Sequence, residues 1–288
     1  MKPYFKRTVL LLNNLDKIDN LLKKAIKFSS QHQTILEILY VHEVALFEIP
    51  DYFLSKDRMA KNQIDKEKIQ AKIEESIKAF DEVFNHAILV YIDDTVDRVI
   101  QHAKKEKQIL FITPYEPKLS ESLIQRVPYS FLIIKDDALE EYNNIIVPLD
   151  LKEKSRKVLL VAKEIFATKP ITILHDYRYL LDMMTIQVDY FNLAPITTPN
   201  LLELNQTVKA DQQKSFEAYK KEFNIEGVFI DDDYSSLDKS LIEYISNHNF
   251  DLTLLYHQDT ELFLSPSLIV ELMKKVSTDL FILNLENE

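Results

Sequence analysis

One order of elements runs along this chain twice: short β-branched and Leu-rich stretches alternate with longer stretches of helical periodicity, and the series then restarts. FKRTVLLLNN (Phe5 to Asn14) leads into apolar positions Ile18, Leu21, Leu22, Ala25 and Ile26, spaced for one helix face. NNIIVPLD (Asn143 to Asp150) leads in the same way into Val158, Leu159, Ala162, Ile165 and Phe166. Second strands follow as ILEILYVHE (Ile35 to Glu43) and ITILHDY (Ile171 to Tyr177), each ending in an apolar residue, His and an acid. Long charged helices come next, with stripes Ile69, Ile73, Ile77, Phe80 and Phe84 in the first half and Phe216, Tyr219 and Phe223 in the second. AILVYIDD (Ala87 to Asp94) answers EGVFIDDD (Glu226 to Asp233), QILFIT (Gln108 to Thr113) answers DLTLLYH (Asp251 to His257), and VPYSFLIIKD (Val127 to Asp136) answers VSTDLFILNL (Val276 to Leu285). Five strands and four helices are thus expected in each half. Errors of assignment do not recur in the same order.

Parallel strands need crossover connections, and near-continuous apolar strands need both sheet faces covered. The expected fold class is therefore α/β, with two tandem doubly wound five-stranded parallel sheets, over residues 1–138 and 142–288. The 288 residues suit two domains of ordinary size. The short acidic stretch Lys135 to Tyr142 is read as a brief linker, with its domains side by side.

Gly227 is the only glycine in the chain. A loop that wraps phosphate closely needs several residues without a Cβ, so neither a Walker A loop nor a dinucleotide fingerprint can be built here. Cysteine is absent, which removes disulfides, thiolate nucleophiles and Cys-ligated zinc together. The formal charge is -11 and no basic cluster is free of acids, so nucleic acid is not an expected partner. The apolar run Val9 to Leu12 is too short for a signal-peptide core, and no stretch reaches the ~18 apolar residues of a membrane span, so a cytoplasmic protein is expected.

The order of elements, the VPLD ending at Val147 to Asp150, and the strand-ending histidines His42 and His175 together resemble the universal stress protein family in tandem form, over nearly the whole chain. That resemblance implies doubly wound sheets, an intramolecular pseudo-dimer formed through the last strands and, in one branch, ATP at the carboxyl edge of the sheet. Members of that branch carry a glycine-spaced motif after the fourth strand. The corresponding stretch here, Leu255 to Leu268, has no glycine, and Thr113 to Ser122 departs further. The chain therefore resembles the branch without the ATP motif.

Asp150 stands where nucleotide-binding members place the acid that touches adenine. It also heads an Asp-x-x-Glu pattern with Glu153, for which N-capping is a sufficient account, and Asn13 with Asp16 repeats the pattern. Ser265, Pro266 and Ser267 open the last helix with capping residues, and a helix start there also offers N–H groups to an anion. Asp150, His175, Asp176, Asp231 to Asp233, His257 and Asp259 all fall at carboxyl ends of strands, where ligands of doubly wound sheets gather. Asp150, His175, His257, Ser265 and Ser267 are the candidate ligand-binding residues. The segment Arg178 to Pro199, rich in Met and aromatics, is read as interdomain packing or a partner surface.

No catalytic or metal-binding residue is assigned and no cofactor is expected, with ATP the alternative. The expectation is a non-enzymatic stress-response protein that senses a small-molecule ligand or binds a protein partner, as an intramolecular pseudo-dimer or a further homodimer. Its alternatives are an ATP-binding member with a degenerate motif and a metal-dependent hydrolase using the strand-end His and Asp residues.

Overall fold

The computed structural model describes residues 4–16, 18–43, 65–80, 85–104, 106–136, 141–178, 198–231, 236–256 and 266–285. The chain divides into two compact units, one within Met1–Glu140 and one at Glu141–Leu285.

The first unit runs β1 (Arg7–Leu12), α1 (Ile18–His32), β2 (Ile35–Glu43), α2 (Lys66–Lys78), β3 (His86–Asp93), α3 (Thr95–Ala103), β4 (Ile109–Pro114), α4 (Pro117–Arg126) and β5 (Ser130–Ile134). Its strands lie in the order β3-β2-β1-β4-β5, every pair parallel. The second unit runs β6 (Ile145–Pro148), α5 (Glu153–Ile165), β7 (Ile171–Asp176), α6 (Thr198–Phe223), β8 (Glu226–Ile230), α7 (Leu237–Asn247), β9 (Leu252–Tyr256), α8 (Pro266–Lys275) and β10 (Asp279–Leu283). Its order is β8-β7-β6-β9-β10, again all parallel. In each unit the chain starts mid-sheet, builds outward to one edge, then returns to the other side of the first strand. The crevice where that direction reverses lies beyond β1 and β4 in one unit and beyond β6 and β9 in the other.

The strands form where the apolar runs are longest. In β4, β5, β9 and β10 almost every residue is buried, on both faces, which is why these runs show no alternation. The outermost strands β3 and β8 are half-buried. Helix α1 buries Ile18, Leu21, Leu22, Ala25 and Ile26 against β1, β2 and β4, and α5 buries Val158, Leu159, Ala162 and Ile165. Each fully buried Leu or Ile side chain contributes about 1.5–3 kcal/mol, so this face rather than helix propensity holds the element.

Two helices end without the usual glycine. After α1, Thr34 N–H donates to the Ser29 carbonyl at 3.0 Å and Gln33 N–H to that of Ser30 at 3.4 Å, with Gln33 at φ 53°. After α6, Ile225 N–H donates to Lys220 at 3.2 Å and Asn224 N–H to Lys221 at 3.4 Å, with Asn224 at φ 47°. Both are Schellman closures whose left-handed residue carries a side chain. Asn tolerates that conformation better than Gln. The substitution Gln33→Gly removes a strain of about 1–2 kcal/mol, offset by about 0.4–1 kcal/mol of chain entropy. A net gain of about 0.5–1 kcal/mol is expected, read as a higher urea midpoint at unchanged slope.

Candidate functional site

The carboxyl edge of each sheet carries a hydrogen-bonded link across its reversal point. In the second unit, β6 delivers Asp150 and β9 ends in Tyr256, and Ser155 from the first turn of α5 joins them. Ser155 Oγ donates to Asp150 Oδ1 and lies 2.9 Å from Tyr256 Oη. The serine proton being committed to the carboxylate, the tyrosine hydroxyl donates to the serine, a chain in which each bond polarises the next. Lys152 N–H also donates to Asp150 Oδ1, at 3.0 Å. That turn requires Leu151 at φ 62°, a left-handed conformation that costs a leucine about 1–2 kcal/mol. Asp150 is 2% exposed, and its Oδ2 is buried without a hydrogen-bond partner.

Capping was the simplest expectation for Asp150, and the structure differs. Helix α5 starts at Glu153 with Lys152, not Asp150, as its N-cap. Leu151 turns the chain back one residue too early for Asp150 to hold that position. Its carboxylate instead binds the incoming backbone and a side chain of the first turn.

In the first unit, Asn13 follows β1 and donates from Nδ2 to Glu116 Oε2, beyond β4, at 2.6 Å. Here too the expected Asn13–Asp16 cap gives way: Asn14 Oδ1 accepts from Asp16 N–H at 2.9 Å, and Asn13 reaches across the sheet. Glu116 is the N-cap of α4, where its backbone N–H donates to Ser120 Oγ at 3.1 Å. Burial, and then the neighbouring charges of Asp94 and Glu116, raise the Glu43 carboxyl above its ordinary value. Glu43, Asp94 and Glu116 are thus gathered at this edge.

His175, at the end of β7, lies inside the second unit at 1% exposure. Its Nδ1 is 2.8 Å from the Leu149 carbonyl and its Nε2 3.1 Å from Gln212, while its ring stacks on Phe216. Burial pushes its pKa down, outweighing the Leu149 and Gln212 hydrogen bonds and the Asp176 and Asp150 charges. Both partners are oxygens, the Leu149 carbonyl and Gln212 Oε1, and a neutral ring donates to only one of them. A group depressed in the fold stabilises above its unfolded pKa, here about 6.5, and that contribution is lost as pH falls below it. The second unit should weaken as pH is lowered below about 6.5. Urea midpoints across that range test this, since His175→Gln should flatten the slope.

Asp176, the next residue, accepts from Arg178 Nε at 2.9 Å, Arg178 N–H at 3.0 Å and Ser240 Oγ at 2.7 Å, with Arg178 Nη2 also on Oδ2. Asp231 is exposed and pairs with Lys209 at 3.2 Å. His42 is half-buried at the end of β2. Ser267 is exposed on α8, which opens on Pro266 as the sequence suggested. His257, Asp259, Ser265, Asp232 and Asp233 lie outside the described residues, as does Arg178 to Pro199 apart from Arg178 itself and the backbone of Thr198 and Pro199. Of the described strand-end residues, Asp150, His175 and Asp176 are buried, each with its own hydrogen-bond partners, whereas Asp231 is exposed. No group of three His, Asp or Glu among the described residues is placed to hold a metal ion. No described helix is long and apolar enough to cross a membrane.

Ser155, Tyr256, Glu116 and Ser240 were not singled out from the sequence. Only the strand-ending position of Tyr256 could have drawn attention to it.

The architecture defines an α/β protein of two doubly wound units. Solved structures share it: a universal stress protein from Archaeoglobus fulgidus (TM-score 0.61, 12% identity) matches 99% of this chain and 98% of its own. A candidate universal stress protein from Pseudomonas aeruginosa (0.60, 14%) matches 97% and 93%. A protein of unknown function from the same species (0.60, 14%) matches 97% and 92%. The chain thus has the universal-stress-protein fold. No protein-family model matches it, and no curated protein matches its sequence.

Proposed function

We propose that this chain is a non-enzymatic stress-response protein that works by sensing a ligand or binding a partner, and that neither sheet edge takes ATP. The observation that supports this most strongly is the engagement of Asp150 with Ser155 and Lys152 N–H at the reversal point of the second unit. A base approaching that edge meets a carboxylate that is buried and already turned inward. Freeing it costs the hydrogen bonds of a charged group, about 1.5–3 kcal/mol each, before any contact with ligand is made. The first unit gathers the acids Glu43, Asp94 and Glu116 at the corresponding edge. The name carried by two of the structural neighbours is the ground for the stress-response assignment.

Thermal melting with millimolar MgATP tests the proposal. A ligand held at 100 times its dissociation constant stabilises the fold by about 2.7 kcal/mol, a shift of several degrees. No shift is expected. A concentration-dependent rise that Asp150→Asn abolishes would overturn the proposal.

A further inference from the structure

Opposite the carboxyl edge, the second unit contains a groove of about 620 Å³ between the last turns of α5 and α6 and the first residues of β7 and β8. Four lysines line it, Lys163, Lys169, Lys220 and Lys221, against two acids, Glu217 and Glu226. This is a local reversal of sign in a chain whose formal charge is -11. Phe166, Pro170, Ile171 and Ile225 supply the apolar part of its lining. The volume is that of an ordinary small-molecule site.

Helix carboxyl ends ordinarily repel anions, but here several of the carbonyls are already engaged. Lys163 Nζ donates to the Phe223 carbonyl, the Lys220 and Lys221 carbonyls accept from Ile225 and Asn224 N–H, and Phe166 N–H covers the Ala162 carbonyl at 2.8 Å. Lys163 therefore maintains the frame. Lys221 is exposed. Lys220 pairs with Glu217 at 3.3 Å, an i,i+3 pair whose acid side chain is 58% exposed, and such pairs exchange at little cost. Lys169 lies 3.0 Å from both Glu141 Oε2 and Asn143 Oδ1, which fixes its ammonium beside the groove.

We infer that this groove binds an organic anion, a phosphate or carboxylate carried on an apolar body, with Lys220 and Lys221 meeting the charge and the apolar part of the lining covering the body. The site is independent of Asp150 and lies at the other end of the sheet.

Calorimetric titration with octyl phosphate, decanoate, inorganic phosphate and octan-1-ol tests it. At least one of the two amphiphilic anions should bind with a dissociation constant below about 1 mM, and the tighter of them identifies the head group. Lys220→Gln combined with Lys221→Gln, at unchanged melting temperature, should weaken that binding at least about tenfold. If the double variant does not fold, Lys221→Gln alone should still weaken it. The inference is overturned if neither anion binds, if the folded variants bind as the parent does, or if octan-1-ol or inorganic phosphate alone binds as tightly.

Discussion

Asp176→Ala is expected to destabilise the second unit by about 3–5 kcal/mol, the largest effect of any single substitution considered. Asp176 is fully buried and Arg178 is 8% exposed, so removal of the carboxylate leaves a guanidinium in the interior without its counter-charge. Ser240 loses an acceptor at 2.7 Å at the same time. Desolvating two charges is costly, so the pair adds less in the intact fold than its loss removes. Asp176→Ala combined with Arg178→Met should therefore recover part of the loss. Urea unfolding followed by a probe in each unit checks both points, with the transition of the second unit moving and that of the first staying in place. Equal stability of Asp176→Ala and the parent would show that Arg178 is held by other groups.

Gly227→Ala is expected to cost the same unit about 1–3 kcal/mol, and Gly227→Val more. A Cβ at this position would sit 2.6 Å from Ile173 Cγ1, 2.7 Å from Phe216 Cζ and 3.2 Å from the Ile173 carbonyl. Neither side chain can give way, since Ile173 and Phe216 are both buried in the close-packed core. No glycine in the chain has positive φ, so the penalty is steric and not conformational. In the first unit, β3 pairs Ala87 with Glu37 where β8 pairs Gly227 with Ile173, and Ala87 is exposed. The one glycine is thus required where α6 presses Phe216 onto the sheet. Melting temperatures of the two variants measure this, and a more stable Gly227→Ala would contradict it.

The fold was legible because it rests on local periodicity repeated twice. Ile35–Glu43 was read to the residue, and α1 and α5 bury the apolar positions that their spacing picked out. Some strand ends were read one to three residues too long where polar residues continue an apolar run, as from Asp231 onward after β8. The site was legible only in part. Asp150 and His175 could be marked by position, but not their inward orientation. The links that decide it join Ser155 to Tyr256 across 101 residues and Asn13 to Glu116 across 103, and no spacing rule connects such pairs. The capping pattern at Asp150 misled because a leucine adopts left-handed geometry at position 151, where glycine or asparagine would be the usual signal. Likewise, the shortage of glycine conceals the two Schellman closures at Gln33 and Asn224.

A crystal structure of the protein grown in saturating MgATP tests the proposed exclusion of ATP from the second unit's edge most directly. The Asp150 carboxylate should remain on Ser155 and the Lys152 amide, with Tyr256 in line and no nucleotide beyond β6 and β9. A nucleotide seated there, its base against an Asp150 side chain swung away from Ser155, would contradict the account.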